Sequence, residues 1–204
     1  MHDRSLFLVQ LRDPAGAAAY ERFAREVDYP YARSQSCISG YEMIRADARL
    51  GPASPSADYV EILELADAAD FETLYTRPAA ADITPRIMAQ LRMVGGYVGE
   101  VTLTGGSRRE RTRAVLFAQL ADVGERGRFE EWLATTYVPA VAAADGISRV
   151  EIVRLDRQLM GKAPMYHYAT ILDLADPDAL SRGERPQSPV ARTDAFGISG
   201  PVVE

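Results

Sequence analysis

The chain of 204 residues contains a single cysteine, Cys37, and only two histidines, His2 and His167. One thiol excludes an internal disulfide, and one thiol with two imidazoles argues against a zinc cluster built from Cys and His. Long apolar runs are also missing. "MHDRSLFLVQLRDP" at the start has only a short apolar stretch between charges, and no later segment approaches the ~20 apolar residues of a membrane span. The expected compartment is therefore the cytoplasm. Positive charge is scarce, with 23 Lys and Arg against 29 Asp and Glu, a formal net charge of −6 and a pI near 5.1. The one basic run, "SRRERTR" at 107–113, reads as a solvated linker. This balance argues against nucleic-acid and anionic-membrane partners. Nucleotide loops are absent as well: "GGYVGE" at 95–100 lacks the G-x-G-x-x-G spacing and reads as a turn leading into a strand. Apolar residues, at 47%, suffice for the core of one medium domain or two small ones.

What is present is an internal repeat at a constant offset of 109. "LFLVQLRD" at 6–13 lies over "VLFAQLAD" at 115–122, Pro30 over Pro139, "SGYEMIRAD" at 39–47 over "SRVEIVRLD" at 148–156, and "YVEILELAD" at 59–67 over "YATILDLAD" at 168–176. Without a gap, 18 of 66 positions are identical between 6–71 and 115–180, against about one in sixteen expected by chance. The chain is a tandem duplication: a first unit at 1–104, a polar linker at 105–113 and a second unit at 114–204. In each unit a strand leads to an amphipathic helix, with Tyr20, Phe23, Ala24, Val27 and Tyr31 at helical spacing in the first and Phe129, Trp132, Leu133 and Thr136 in the second. Two strands follow, then a helix capped by Asp67 or Asp176, then a closing strand near 97–103 or 197–203. The order β-α-β-β-α-β predicts an α+β fold of two ferredoxin-like units. Each unit leaves one sheet face bare, so the two are expected to pack those faces into one intramolecular dimeric α+β barrel.

Alternation then assigns faces. Phe7, Val9 and Leu11, with Leu116, Ala118 and Leu120, are expected under the helices. Leu6, Leu8 and Gln10, with Val115, Phe117 and Gln119, then face the barrel interior. Tyr59, Glu61 and Leu63 share a face opposite Val60 and Ile62, and the same test turns Glu61 inward together with Tyr168, Thr170 and Leu172. His167 falls with Ala169 and Ile171 on the helix side. A buried amide or carboxylate needs a partner. Either these groups satisfy one another, or Arg45 and Arg154, in a network without chemistry, or they serve a site in the barrel cavity. Trp132, at the position of Phe23, reads as helix core.

"EVDYPYARS" at 26–34 raises a separate question. Pro30 cannot continue the helical hydrogen-bond ladder and disfavours the α region for Tyr29, so the chain is expected to turn there, at a barrel mouth. An acid at a helix C-terminus opposes the macrodipole, which marks Asp28 for function. The repeats differ at these positions: Asp28 becomes Tyr137, Glu61 becomes Thr170 and Asp58 becomes His167. One cavity with one acid-bearing wall would account for that asymmetry.

With "REVDYPYARS", "ISGYEMIRA" and "SADYVEILELADAADF", residues 6–71 resemble the RedY-like family of small dimeric α+β barrel proteins, known from prodiginine pigment biosynthesis. The second half, "FEEWLATTYVPAVAAADGISRVEIVRLD", is similar to the broader dimeric α+β barrel superfamily, in which a polar residue two before the proline often faces the cavity. Tyr137 takes that place and departs from the histidine of several relatives. Family members usually pair two chains; this chain would have fused the pair, as a monomeric pseudo-dimer or a further homodimer. The resemblance implies a cofactor-independent cyclase of bacterial secondary metabolism, as in antibiotic biosynthesis, that closes an aromatic or heteroaromatic ring of a polyketide-, pyrrole- or indole/carbazole-type intermediate. A neighbouring pathway enzyme is a possible partner. Such a reaction needs a base and an acid, here Glu61 and Asp28, with Tyr59, Tyr137 and Tyr168 as hydrogen-bond donors and His167 as a proton shuttle. Gln10 and Gln119 would hold a carbonyl oxygen, and Tyr29 and Arg45 complete the binding set. Two alternatives stay open: a monooxygenase of the same fold using neither metal nor flavin, and a non-catalytic protein that binds an unstable aromatic intermediate.

Overall fold

The computed structural model describes residues 3–50, 56–74, 76–182 and 196–203. His2 and Pro55 lie outside the described residues. The first repeat runs β1 (Asp3–Leu11), α1 (Ala17–Phe23), a π-helical segment (Ala24–Asp28), α2 (Tyr29–Arg33), β2 (Ile38–Arg45), the short β3 (Ala48–Leu50), β4 (Tyr59–Leu65), α3 (Ala68–Leu74), α4 (Ile83–Gln90) and β5 (Leu91–Gly106). The second runs β6 (Thr112–Ala118), α5 (Arg126–Trp132), a π segment (Leu133–Tyr137), α6 (Val138–Ala142), β7 (Ile147–Gly161), β8 (Tyr168–Leu174), α7 (Ala179–Arg182) and β9 (Phe196–Val203). Short carboxylates start the helical stretches as expected. Asp13 accepts from the amide of Ala15 and Asp122 from that of Gly124, while Asp67 accepts from Asp70 and Asp176 from Asp178. Among the described residues no helix is long and apolar enough to cross a membrane.

All strand pairings are antiparallel, in the order β2-β4-β1-β5-β7-β8-β6-β9-β3, and an additional β2–β9 pairing joins the ends. Eight strands thus close into an α+β barrel of two ferredoxin-like repeats. The repeats meet along β5 and β7, where "GGYVGE" lies inside β5 and is not the turn its glycines suggest. The glycines serve close approach: a Cβ on Gly99 would stand 2.0 Å from the carbonyl oxygen of Arg154 in β7.

The barrel interior is a packed core. Leu6, Leu8, Val115 and Phe117 do point inward, and with Tyr97, Tyr166, Phe196 and the β-branched residues around them they form one fully buried cluster. Phe117 lies 5.1 Å from Tyr166 and 5.7 Å from Phe196 between ring centroids. The expected shared hollow is therefore filled by side chains, as in other small barrels. The third strands are also turned the other way. Val60 and Ile62, with Ala169 and Ile171, fill the interior, whereas Tyr59 and Leu63, with Tyr168 and Leu172, pack under the helices. Glu61 is directly opposite Phe7 across β1 and β4, so it shares the helix-side face of Phe7. The misassignment has a simple cause: β4 is apolar on both faces, and alternation separates two faces without saying which is inside.

One end of the interior is ionic. Arg4 bonds Glu151 at 2.8 Å and Glu64 at 3.3 Å, while Arg113 bonds Asp173 at 2.7 Å and also Glu42. Arg109, between β5 and β6, joins Glu42 and Glu64, and Arg149 joins Glu151 and Asp173. Four guanidinium groups thus meet four carboxylates. The pattern follows the repeat, because Arg4 and Glu42 lie at the same offset as Arg113 and Glu151. The pairs Arg4–Glu151 and Arg113–Glu42 both cross from one repeat to the other.

A second repeated contact ties sheet to helix. Tyr59 donates to Glu21 at 3.0 Å and Tyr168 to Glu130 at 2.8 Å. These tyrosines were expected at the site, and their hydroxyls instead hold α1 and α5 against β4 and β8. Replacing either by phenylalanine is expected to cost about 1 kcal/mol in urea unfolding, the usual worth of one such hydrogen bond.

Candidate functional site

The proline of "EVDYPYARS" does not end the helix. The chain passes through a single π turn, in which the amide of Tyr29 bonds the carbonyl of Ala24, and α2 then continues to Arg33 with Pro30 in its first turn. The wider turn accommodates the residue that lacks an N–H. Asp28 consequently lies within a continuous helical stretch and not at a helix terminus over a barrel mouth. It is turned toward the sheet and only 3% exposed.

Asp28 meets Glu61, itself 5% exposed, on the wall of a cavity of about 90 Å³ between the first repeat's sheet and its helices. Phe7 of β1, Ile87 and Met88 of α4 and Met93 of β5 line it as well. Met160 of β7 reaches in from the second repeat. Gly96 makes room for this arrangement, since a Cβ there would stand 2.7 Å from the ring of Phe7 and 2.9 Å from Met160. Thr84 of α4 adds a hydroxyl.

Two tyrosines hold the acids. Tyr20 of α1 donates to Oε1 of Glu61, and Tyr41 of β2 donates to Oδ2 of Asp28 at 2.8 Å. Burial pushes the Glu61 carboxyl up to about 8; the charge of Asp28 adds to this, and the hydroxyls of Tyr20 and Tyr41 oppose it. Burial likewise raises Asp28, to about 6, against the hydrogen bond from Tyr41. Burial therefore makes the pair hold a proton well above the ordinary carboxylate range.

Of the residues expected at the site, Asp28 and Glu61 come together and the others do not line this cavity. Tyr29 donates to the carbonyl of Val203 at 2.7 Å and stacks edge-on against Tyr41, facing an outer groove with Arg25 and Arg33. Arg45 is half exposed and pairs with Asp47 and Glu21. Gln10 bonds Ser56 at the rim of the barrel, and Gln119 is half-buried just past β6. The carbonyl-holding role expected of the two amides has no place here, because the interior they were assigned to is filled. His167 accepts from the amide of Leu120 at 2.9 Å through Nδ1, and burial, then Arg126, lower its pKa. Tyr137 is packed against Trp132 in the second repeat's core.

The equivalent space in the second repeat shows what was lost there. Tyr20, Asp28, Tyr41 and Glu61 become Phe129, Tyr137, Val150 and Thr170. Phe129, Tyr137 and Val150 belong to a buried apolar cluster under α5 and α6. Among the described residues this acid-bearing wall is thus confined to the first repeat. Tyr20 and Tyr41 were missed in the sequence because Tyr20 fits the apolar helix stripe and Tyr41 a strand. The signal that could have found them is the same repeat asymmetry, since each loses its hydroxyl in the second copy. Among the described residues no group of three or more His, Cys, Asp or Glu could hold a metal ion.

Comparison with known proteins agrees with this architecture. An anthrone oxidase-like protein of known structure superposes with a TM-score of 0.66 at 14% identity, covering 100% of this chain and 92% of its own. A candidate monooxygenase from Fusobacterium nucleatum gives 0.65 at 11% identity, with 100% and 93% covered. HapK from Hahella chejuensis is 22% identical over 52% of this chain and 98% of its own, with a TM-score of 0.44. At their identities the first two likenesses establish the fold alone. A search of curated proteins finds no match. The family model of the REDY-like protein HapK matches residues 3–100 and 112–193, one stretch in each repeat. The chain therefore belongs to the REDY-like HapK family, as a member that carries two repeats in tandem.

Proposed function

We propose that this protein is a cofactor-independent acid–base enzyme that closes an aromatic or heteroaromatic ring by condensation and dehydration, in the cavity between sheet and helices of the first repeat. The observation that carries the reading is the pair of buried carboxyls, Asp28 and Glu61, lining one largely apolar cavity, each raised by burial above the ordinary carboxylate range. In this reading Asp28 is the base and Glu61 the acid. In ring closure Asp28 removes a proton from the nucleophilic carbon, the carbon–carbon bond forms, and Glu61 gives its proton to the carbonyl oxygen. In dehydration the Glu61 carboxylate takes the next carbon-bound proton while the protonated Asp28 delivers its own to the departing hydroxyl. One water leaves and both acids return to their starting states. Tyr20 and Tyr41 stabilise the carboxylate form of each acid in turn.

A second reading, a cofactor-free monooxygenase, draws support from the likeness over the full chain to an anthrone oxidase-like protein. Asp28 would then deprotonate a phenol ahead of reaction with oxygen. The two part on oxygen use. Purified protein is given a linear dicarbonyl substrate of the ring-closing type and, separately, a hydroxyanthrone, with an oxygen electrode and mass spectrometry as readouts. Product lighter by one water without oxygen uptake is expected. Oxygen consumed in step with hydroxyanthrone turnover, with no cyclised product, would transfer the assignment to the oxygenase.

A further inference from the structure

Two residues that line the cavity each carry a buried polar atom with no hydrogen-bond partner in the protein, Oδ1 of Asp28 and Oγ1 of Thr84. Asp28 is almost fully buried and its other oxygen is occupied by Tyr41, so Oδ1 is a buried acceptor left open on a residue that lines the cavity. Buried polar atoms are nearly always satisfied, and a dry, unpaired carboxylate oxygen is costly. The two atoms come from separate elements, the π segment and α4, so a molecule that meets both links those elements. The remaining described lining is phenyl, aliphatic and thioether, apart from Glu61, and no Arg, Lys or His is among the described lining residues.

We infer that this cavity binds neutral aromatic molecules bearing an O–H or N–H, donated to Oδ1 of Asp28 with a neighbouring polar atom meeting Thr84, and that it rejects carboxylates and phosphates. The inference rests on the acid–base reading for where the site lies, but binding alone decides it. A neutral donor gains a charge-assisted hydrogen bond to a carboxylate that is already desolvated. An anion would be buried beside the charge of Asp28 with no cation in the lining, in a medium where like charges repel strongly. An ammonium group would have to give up its hydration for one counter-ion, beside a neutral Glu61. Methionine sulfur suits aromatic ring edges and adapts to ring shape, and about 90 Å³ restricts the enclosed part to roughly one ring.

The test uses three single-ring probes, resorcinol, 3-hydroxybenzoate and 3-hydroxybenzylamine, with dissociation constants measured by ligand-observed NMR on the full chain at pH 7. Resorcinol is expected to bind at least about tenfold more tightly than either charged probe. Asp28→Asn is expected to bring resorcinol and 3-hydroxybenzoate to within about threefold of each other, and Thr84→Val to weaken resorcinol about five- to tenfold. Equal or tighter binding of a charged probe overturns the inference. So does no resorcinol binding at millimolar concentration, or an unchanged preference in Asp28→Asn. Should that variant not fold, Thr84→Val decides: unaltered resorcinol affinity overturns the role of Thr84 as a recognition group. The two readings fail separately. A cavity that prefers the benzoate while Glu61→Gln still abolishes turnover would end the substrate class and leave the catalysis standing. The expected preference with turnover intact in Glu61→Gln would do the opposite.

Discussion

Glu61→Gln is expected to lower turnover by about 10²- to 10⁴-fold, and Asp28→Asn by a similar factor, because each removes one half of a proton exchange that general acid–base catalysis needs. Glutamine keeps the shape and can still accept from Tyr20, but it has no proton to deliver. The wild-type rate should follow a bell in pH. It should fall below about 6, where Asp28 takes up a proton, and above about 8, where Glu61 gives one up. Retained turnover in both variants would instead favour a protein that only holds an unstable intermediate.

The same two groups make a prediction about stability with a definite sign. Both carboxyls lie above their ordinary values in the folded chain, raised by burial. Folded protein therefore binds more protons than unfolded protein between the ordinary carboxylate range and pH 8. The stability these two groups contribute is fully present below that range and is lost as pH rises through it. Above pH 8 wild type must carry two buried negative charges, and Glu61→Gln only one. The variant should then unfold at a higher temperature than wild type at pH 9, while the two differ little at pH 4. An inactive variant that is more stable at alkaline pH is what a strained active site predicts. Lower stability of Glu61→Gln at pH 9 would contradict it.

The second large effect concerns the ionic end of the barrel. Arg4→Met is expected to cost about 3–5 kcal/mol in denaturant unfolding, because it leaves Glu151 and Glu64 with fewer cations inside the barrel. Combining it with Glu151→Met should recover much of the loss, since removing both members of a buried pair is far less harmful than removing one. A loss below about 1 kcal/mol for the single variant would mean the network does not hold the repeats together. We read its function as register. Arg4 and Arg113 each reach across to the other repeat's glutamate, so a slipped or reversed association would bury charges without partners.

How much of this was legible beforehand differs from residue to residue. The offset of 109 exposed the duplication, and with it the strand and helix order and the inward-facing Leu6, Leu8, Val115 and Phe117. Repeat asymmetry singled out Asp28 and Glu61, which the fold does bring together. The location of their meeting was misread. Glu61 was placed in the barrel because its strand is apolar on both faces, and Asp28 at a helix end because a proline normally stops a helix. A π turn and the register of β4 against β1 reversed both. His167, Tyr59, Tyr168 and Arg45 carry the right chemistry but are committed to backbone, helix or surface partners that lie far off in sequence.

The amino-acid sequence by itself determined that two copies of one α+β unit pair within a single chain, and that the first copy alone carries the acids. Periodicity and repetition are local properties, readable along the chain. Only the tertiary structure decided which side of the sheet is hollow. Aromatic and branched side chains from both repeats fill the barrel, and the space left for chemistry lies under the first repeat's helices, because packing density depends on side chains meeting from every strand at once.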